Sequence, residues 1–424
     1  MEKEISLAVK KLGRNGEGVG NYKGREFFCY GVLPNEIAKV RIIKKNKKRI
    51  ETELVKLIEK SKERIKEKEN HFLSCSPLQI LSYDKQIEYK KKLLKDAYSK
   101  FKNIRMRFFP SSQIYGYRTK MEFSFEEKNG KIFLAFYKRG NYKEKYILEK
   151  GCVLASKEVN KIALDIVNEL NKKKVKGEKL KSLVIREGKR TGERIAVLYV
   201  KDENFKFEYE NDMLKGFMLV YSDPKSPASI KTKILFKSGE EELREKILNR
   251  EFVYSPFCFF QNNISLFEKA IKEMKKYTKR CKRLLDVYCG VGTIGICLTD
   301  GREVVGVEIE DEEKEYAKLN AEINNIKNYK ILNINSKKLD ETLIENFDCV
   351  ILDPPRAGLT KKLISKILKA KPLFLIYLSC NPFTQAKDYE LLRKTYKICI
   401  IEGFDFYPHT PHLESLLILK LKNT

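Results

Sequence analysis

Apolar and polar positions alternate over short stretches at the start of the chain, at residues 5–9, 26–30, 38–43 and 50–58, with turn signals between them at 13–20, 22–24 and 33–36. Strands this short and this closely spaced predict a small barrel over residues 1–58, because closure removes exposed sheet edges. Residues 59–71 are nearly all charged and read as a linker or the start of a solvated helix. Helical spacing then brings Ile87, Leu93, Leu94, Ala97, Tyr98 and Phe101 onto one face of residues 83–101. A mixed segment follows to about residue 253, with strands at 120–125, 132–137 and 195–200 and a helix at 157–172.

After Ser255 the pattern becomes strand, glycine turn, helix, repeated. Strands are expected at 283–288, 304–309, 330–334, 348–352, 374–379, 398–404 and 416–421, with helices between most of them, as at 311–324 and 359–370. That alternation predicts an α/β fold with a doubly wound, mostly parallel sheet whose ligands lie at the carboxyl ends of the strands. The expected organisation is a barrel at 1–58, a linker and central α+β domain at 59–253, and the α/β domain at 254–424.

Length and charge sharpen this picture. A chain of 424 residues exceeds one ordinary domain, and 42% apolar with 11% aromatic residues is enough for real cores. Against 58 acidic residues stand 86 Lys and Arg, a net charge of +28 that suits a polyanionic partner, although a lysine-rich genome would raise the charge in the same way. Lys39, Arg41, Lys44, Lys45, Lys47, Lys48 and Arg49 form a basic run without an acid, which on a small barrel suits tracking of phosphates. No apolar run approaches the roughly 18–20 residues that span a bilayer, and the N-terminus lacks a signal-like segment. The ten cysteines contain no C-x-x-C pair, so reduced thiols and a cytoplasmic location are expected.

Candidate chemistry gathers at the strand ends. The first strand of the α/β domain runs into Asp286-Val287-Tyr288-Cys289-Gly290-Val291-Gly292, a glycine turn that lets a ligand approach the backbone. Glu308 ends the second strand, where a carboxylate suits a ribose diol; together they point to a nucleoside cofactor. Two prolines after Asp353 hold that acid at the mouth of the sheet, with Arg356 beyond them. Cys380, at the end of the fifth strand, is a soft nucleophile by position. His409, His412 and Glu414 lack a further strong ligand, so no metal site is expected and Glu414 reads as a base.

Phe259-Phe260-Gln261-Asn262-Asn263, Asp286-Val287-Tyr288-Cys289-Gly290, Asp353-Pro354-Pro355-Arg356, Ser379-Cys380-Asn381-Pro382 and His412-Leu413-Glu414 stand in order and at similar spacing to those of the RNA uracil-5-methyltransferase family, which residues 254–424 resemble. Residues 1–58 resemble the family's TRAM domain, an OB-like RNA-binding barrel, and this points to the branch that modifies 23S ribosomal RNA. The resemblance implies a Rossmann-like class I catalytic domain and S-adenosylmethionine as methyl donor. It implies Gln261, Tyr288, Glu308 and Asp353 as cofactor contacts, Cys380 as nucleophile and Glu414 as base. RNA is the implied partner, with no obligate protein partner. Many members also hold an iron–sulfur cluster on four cysteines; here residues 71–83 keep only Cys75 and the later position has Cys152, so the cluster is expected to be absent. Asn335-Ser336 replaces the family's Gly-Asp. Three other readings stay open: the same reaction at a T-loop uridine of transfer RNA, a nicotinamide-dependent oxidoreductase on the same glycine turn, and an RNA-binding protein with a decayed catalytic domain.

Overall fold

A computed structural model describes residues 4–46 and 49–422, which divide into two compact units. The first holds the chain up to Asp96 together with Ala135–Leu148 and Tyr407–His412; the second holds Ala97–Leu134, Glu149–Phe406 and the chain from Leu413.

The first unit is built on a closed barrel of β1 (Glu4–Leu12), β2 (Gly18–Tyr22), β3 (Arg25–Cys29), β4 (Ile37–Lys45) and β5 (Ile50–Glu59), in the order β1-β2-β3-β5-β4. Alternation sends Ile5, Leu7 and Val9 inward against Phe27, Ala38 and Val40, while Glu4, Ser6 and Ala8 face out. β2 lies where the sequence pattern gives mostly a turn. Its Gly20 passes β1 so closely that a Cβ there would sit 2.3 Å from the Ala8 carbonyl oxygen. The wall needs glycine at that point, and glycine hides the strand signal. Within the basic run, Lys39 and Arg41 pair with Glu4 (2.6 and 3.5 Å) and Arg49 pairs with Glu17 at 2.9 Å, which leaves Lys44 and Lys45 exposed; Lys47 and Lys48 lie outside the described residues.

The charged stretch after the barrel is mostly exposed, as expected, but Arg64 ties it back to the barrel. Arg64 donates from Nε and Nη2 to the Glu36 carboxylate at 2.6 and 2.8 Å and from Nη2 to the Gly31 carbonyl at 2.7 Å. Glu36 also accepts the Leu33 and Ser61 amides at 2.7 and 3.2 Å. Burial alone would push its carboxyl up, but Arg64 and those amides outweigh it and hold it below the usual range. Two helices follow, α1 (Phe72–Cys75) and α2 (Tyr83–Ala97).

The second unit carries β6 (Met106–Phe109), β7 (Lys120–Lys128), the start of β8 (Lys131–Lys138), α3 (Lys157–Lys172), β10 (Leu180–Glu187), β11 (Arg194–Val200), β12 (Gly216–Tyr221), β13 (Lys233–Gly239), β14 (Leu243–Ile247) and β15 (Arg250–Tyr254). The rest of β8, with β9 (Asn141–Ile147), belongs to the first unit. Strands run β13-β12-β11-β10-β7, and α3 covers them with Val159, Ile162, Ala163, Ile166, Val167 and Leu170, the apolar stripe expected of it.

The rest of this unit alternates as the pattern predicts: α4 (Ile264–Thr278), β16 (Arg283–Val287), α5 (Thr293–Leu298), β17 (Glu303–Glu308), α6 (Asp311–Ile323), β18 (Tyr329–Asn333), α7 (Glu341–Ile344), β19 (Cys349–Leu352), α8 (Lys361–Ala370), β20 (Phe374–Ser379), α9 (Pro382–Leu392), β21 (Tyr396–Phe404) and β22 (Glu414–Leu421). They form one sheet in the order β18-β17-β16-β19-β20-β22-β21-β6. β16 to β20 are parallel, and β22 inserts antiparallel between β20 and β21. The order reverses between β16 and β19, the point where such sheets open a crevice. β6, four residues that pair with β21, is too short for its periodicity to stand out. Among the described residues no helix is long and apolar enough to cross a membrane.

Glu36→Ala removes an acid buried against Arg64 and should cost about 3 kcal/mol of unfolding free energy, read by urea denaturation of the full chain. The folded carboxyl sits lower than in the unfolded chain, so its contribution exists above the ordinary carboxylate range and fades as pH falls. The gap between wild type and variant should therefore narrow on acidification; a gap that widens contradicts this role.

Candidate active site

β16 stops at Val287 and the chain turns through Tyr288, Cys289, Gly290 and Val291 to Gly292, the N-cap of α5. Gly290 and Gly292 take φ of +54° and +84°, which glycine adopts at little cost. Tyr288 takes +66° without that freedom, a strained position of the sort that collects at functional sites. Its hydroxyl accepts a hydrogen bond from Ser336 Oγ at 2.9 Å, so Ser336, one of the pair departing from the family pattern, stands at this turn.

Glu308, at the end of β17, accepts the amides of Gly290 (2.9 Å), Ile309 (2.6 Å) and Glu310 (3.1 Å). Three amides leave about one of a carboxylate's four acceptor positions open, enough for a hydroxyl. Beneath the turn Asp286 Oδ2 accepts the Gly295 amide at 2.8 Å, while Oδ1 has no partner among the described residues. Burial pushes the Asp286 carboxyl up to about 8, the Gly295 amide pulls against that, and the charges of Asp353 and Glu308 push the same way as burial.

A second group sits at the ends of β19, β20 and β22. Asp353 follows β19, and burial pushes its carboxyl up to about 7. Cys380 follows β20 and is half-buried; among the described cysteines only Cys75 and Cys399 share that exposure. Burial and then the Glu414 charge raise its thiol to about 11, while Arg356 opposes them by charge and hydrogen bonding. Glu414, the first residue of β22, is buried, which holds its carboxyl well above the usual range; Asp353 adds to that shift and Arg356 reduces it. Cys380 therefore feels the charges of Glu414, Arg356 and Asp353, and Glu414 those of Asp353 and Arg356.

Side chains of α9 and its N-cap fix this geometry. Asn381, the N-cap beside Cys380, donates from Nδ2 to the Arg356 carbonyl at 3.3 Å and accepts the Thr384 amide at 3.3 Å. Asp388 accepts the Leu359 amide (2.9 Å) and the Tyr377 hydroxyl (2.8 Å), which ties the loop after Asp353 to the helix after Cys380.

Gln261 is buried beyond β15, with its carbonyl accepting from Thr119 Oγ1 at 2.9 Å. Its Oε1 has no partner among the described residues. The Phe259 amide donates to Glu313 Oε1 at 2.8 Å, and a Cβ at Gly290 would meet that same carboxylate at 3.7 Å, so this segment reaches the glycine turn through α6. The rings and side chains of Phe259 (59% exposed) and Ile309 (50%) stand in the open at its edges. His409 serves the first unit instead: its amide donates to Gln86 Oε1 at 2.9 Å, and burial pushes its imidazole down to about 4.

The turn and its surroundings offer acceptors: Gln261 Oε1 and the Glu308 carboxylate. Such a set suits a cationic nucleoside with hydroxyl and amino donors, whereas a pyrophosphate would meet Glu308 and Glu313. Residue patterns singled out Glu308, Asp353, Cys380 and Glu414, and the family resemblance added Gln261 and Tyr288. They gave no role to Asp286, Glu313 or Ser336, and only Arg356, beyond the two prolines, carried a visible signal.

Comparisons with known proteins agree with this chemistry. The tRNA (uracil-5-)-methyltransferase family pattern matches residues 82–422. RNA methyltransferases of Lactobacillus johnsonii and Nanoarchaeum equitans are 30% and 33% identical, each over 99% of this chain and over 97% and 94% of their own. The solved tRNA (uracil-54, C5)-methyltransferase of Pyrococcus abyssi, in complex with S-adenosyl-L-homocysteine, overlays with a TM-score of 0.78 at 27% identity, covering 98% of this chain and 100% of that one. A family pattern spanning most of the sequence, on an acceptor-lined crevice suited to a cationic nucleoside, means that the chain belongs to the RNA uracil-5-methyltransferase family and methylates RNA with S-adenosylmethionine.

Proposed function

We propose that the enzyme methylates carbon 5 of a T-loop uridine in transfer RNA, with Cys380 as nucleophile and Glu414 as base. The observation that carries the chemistry is the placement of Asp353, Cys380 and Glu414 at the ends of the neighbouring strands β19, β20 and β22, where Cys380 feels the charges of Glu414 and Arg356. Transfer RNA is preferred to the ribosomal RNA expected from the barrel, because the Pyrococcus abyssi enzyme named for uracil 54 of tRNA covers 98% of this chain. An overlay over 98% of this chain takes in barrel residues too, so the barrel does not single out ribosomal RNA. On this reading the barrel is a TRAM-like module that holds RNA through residues such as Lys44 and Lys45.

Bound S-adenosylmethionine supplies an electrophilic methyl group, held on this reading by Gln261, Tyr288, Glu308 and Asp353. Carbon 5 of uracil is too weak a nucleophile to take that methyl unaided. Cys380, as thiolate, adds to carbon 6 and pushes the ring electrons into an enolate, which makes carbon 5 nucleophilic. Once carbon 5 carries the methyl group, Glu414 removes its remaining proton; the S–C6 bond breaks, the double bond re-forms and the thiolate is restored. Arg356 lowers the cost of both the thiolate and the carboxylate. The target base must leave its stack to reach the rim, at a cost of roughly a few kcal/mol. The thiol, carboxyl and guanidinium groups suffice for these steps, and no iron–sulfur cluster enters the proposal.

Cys380→Ala should reduce methylation to background with S-adenosylhomocysteine binding unchanged, and Glu414→Gln should slow turnover by about 10²–10⁴-fold while a covalent protein–RNA adduct accumulates on denaturing gels. Turnover by the first variant, or normal release by the second, contradicts the assigned roles.

Cys380 and Glu414 must both lose protons that burial makes them keep. We expect kcat/KM to rise with pH through neutrality into the alkaline range. Arg356→Met should move that limb to higher pH and lower the neutral rate by about tenfold per unit of displacement. An acidic optimum, or a limb unmoved by the substitution, contradicts the electrostatic assignment.

Mapping 5-methyluridine in RNA from cells with and without the gene decides the substrate: we expect loss of a T-loop methyl group in transfer RNA, whereas loss confined to ribosomal RNA overturns that choice.

A further inference from the structure

Residues 69–79 of the first unit turn tightly around α1, and three ionisable side chains that methyl transfer does not use converge there. Cys75 Sγ lies 3.5 Å from His71 Nδ1 and 4.0 Å from Glu69 Oε2, and His71 Nε2 lies 3.4 Å from Glu69 Oε1. The His71 and Glu69 side chains are only 4% and 10% exposed.

The separations have the size of a metal site. With zinc–sulfur bonds near 2.3 Å and zinc–nitrogen or zinc–oxygen bonds near 2.0–2.1 Å, the edges of a tetrahedron come to about 3.6 Å. The two distances from Cys75 Sγ bracket that value, and the three ligand atoms lie within 4.8 Å of one another. Orienting partners are present too. Gln79, itself buried, donates from Nε2 to Glu69 Oε2 at 3.2 Å and to Ser76 Oγ at 2.6 Å, and its Oε1 accepts the Lys68 amide at 3.0 Å. The His71 ring rests edge-on against Phe136 with centroids 5.6 Å apart.

Such a donor set does not fit an iron–sulfur cluster, which is held by thiolates. One sulfur, one nitrogen and one oxygen suit a borderline dication. We propose that Glu69, His71 and Cys75 bind a single zinc ion, with a fourth ligand completing the tetrahedron, and that this ion pins the turn between β5 and α2. On binding, the Cys75 S–H bond breaks, its proton passes to solvent and the thiolate bonds to zinc; no electron is transferred.

Elemental analysis of the full-length protein, purified without chelators or metal-affinity resin, tests the proposal. We expect about one zinc per chain, iron at trace level, and loss of the zinc in both Cys75→Ser and His71→Ala. Metal-free wild type, iron with acid-labile sulfide, or zinc retained in both variants overturns it. Should either variant fail to fold, the wild type decides alone: exchange of its metal for cobalt should produce a near-ultraviolet thiolate-to-cobalt band that disappears when Cys75 is alkylated, and absence of the band overturns the proposal.

Discussion

Burial of acids at the carboxyl rim of the second unit's sheet governs its chemistry. Asp286, Asp353 and Glu414 are all driven toward their neutral forms by desolvation, and Arg356 is the cation that opposes this for Glu414 and for the Cys380 thiol. Groups in this condition respond strongly to any charge brought beside them. A cation lowers the cost of ionising each acid, and an anion raises it. The same crowding that makes the resting site acidic and largely uncharged therefore favours a positively charged ligand and couples its arrival to ionisation of these acids.

Chain topology makes the crowding possible. Parallel strands β16, β17, β19 and β20 all end on one side, and the antiparallel β22 begins there, so Glu414 at its first residue lies on the same rim as Asp353 and Cys380. Asn381 and Asp388 then bind the loop after Asp353 to α9. Because these latches sit directly beyond Cys380 in sequence, the thiol and the loop that carries Arg356 are held by one stretch of chain.

Much of this could be read before any coordinates. The seven expected strands of the α/β domain are present, and four of them, β16, β17, β19 and β20, are buried on both faces and appear as continuous apolar runs ending in a turn. What was hidden depends on contacts between distant residues. β2 is masked by the glycines that let it cross β1, and β6 needs β21 beside it to be a strand at all. The 59–71 stretch is largely solvated as it reads, but the anchor from Arg64 to Glu36 joins residues 28 positions apart and leaves no local signal. Ser336 signals only a departure from a motif until its hydroxyl is found on Tyr288. Glu69, His71 and Cys75 match no familiar ligand spacing, since a turn rather than a helix face brings them together.

The central claim is that the Cys380 sulfur bonds to carbon 6 of the target uracil. Its most direct test is incubation with S-adenosylmethionine and RNA in which 5-fluorouridine replaces uridine, since fluorine on carbon 5 cannot leave as a proton does and the final elimination is blocked. Mass spectrometry of the digested complex should find one methylated fluorouridine joined to the peptide that contains Cys380. Methylation of ordinary RNA with no such adduct, or an adduct on another cysteine, would contradict the account.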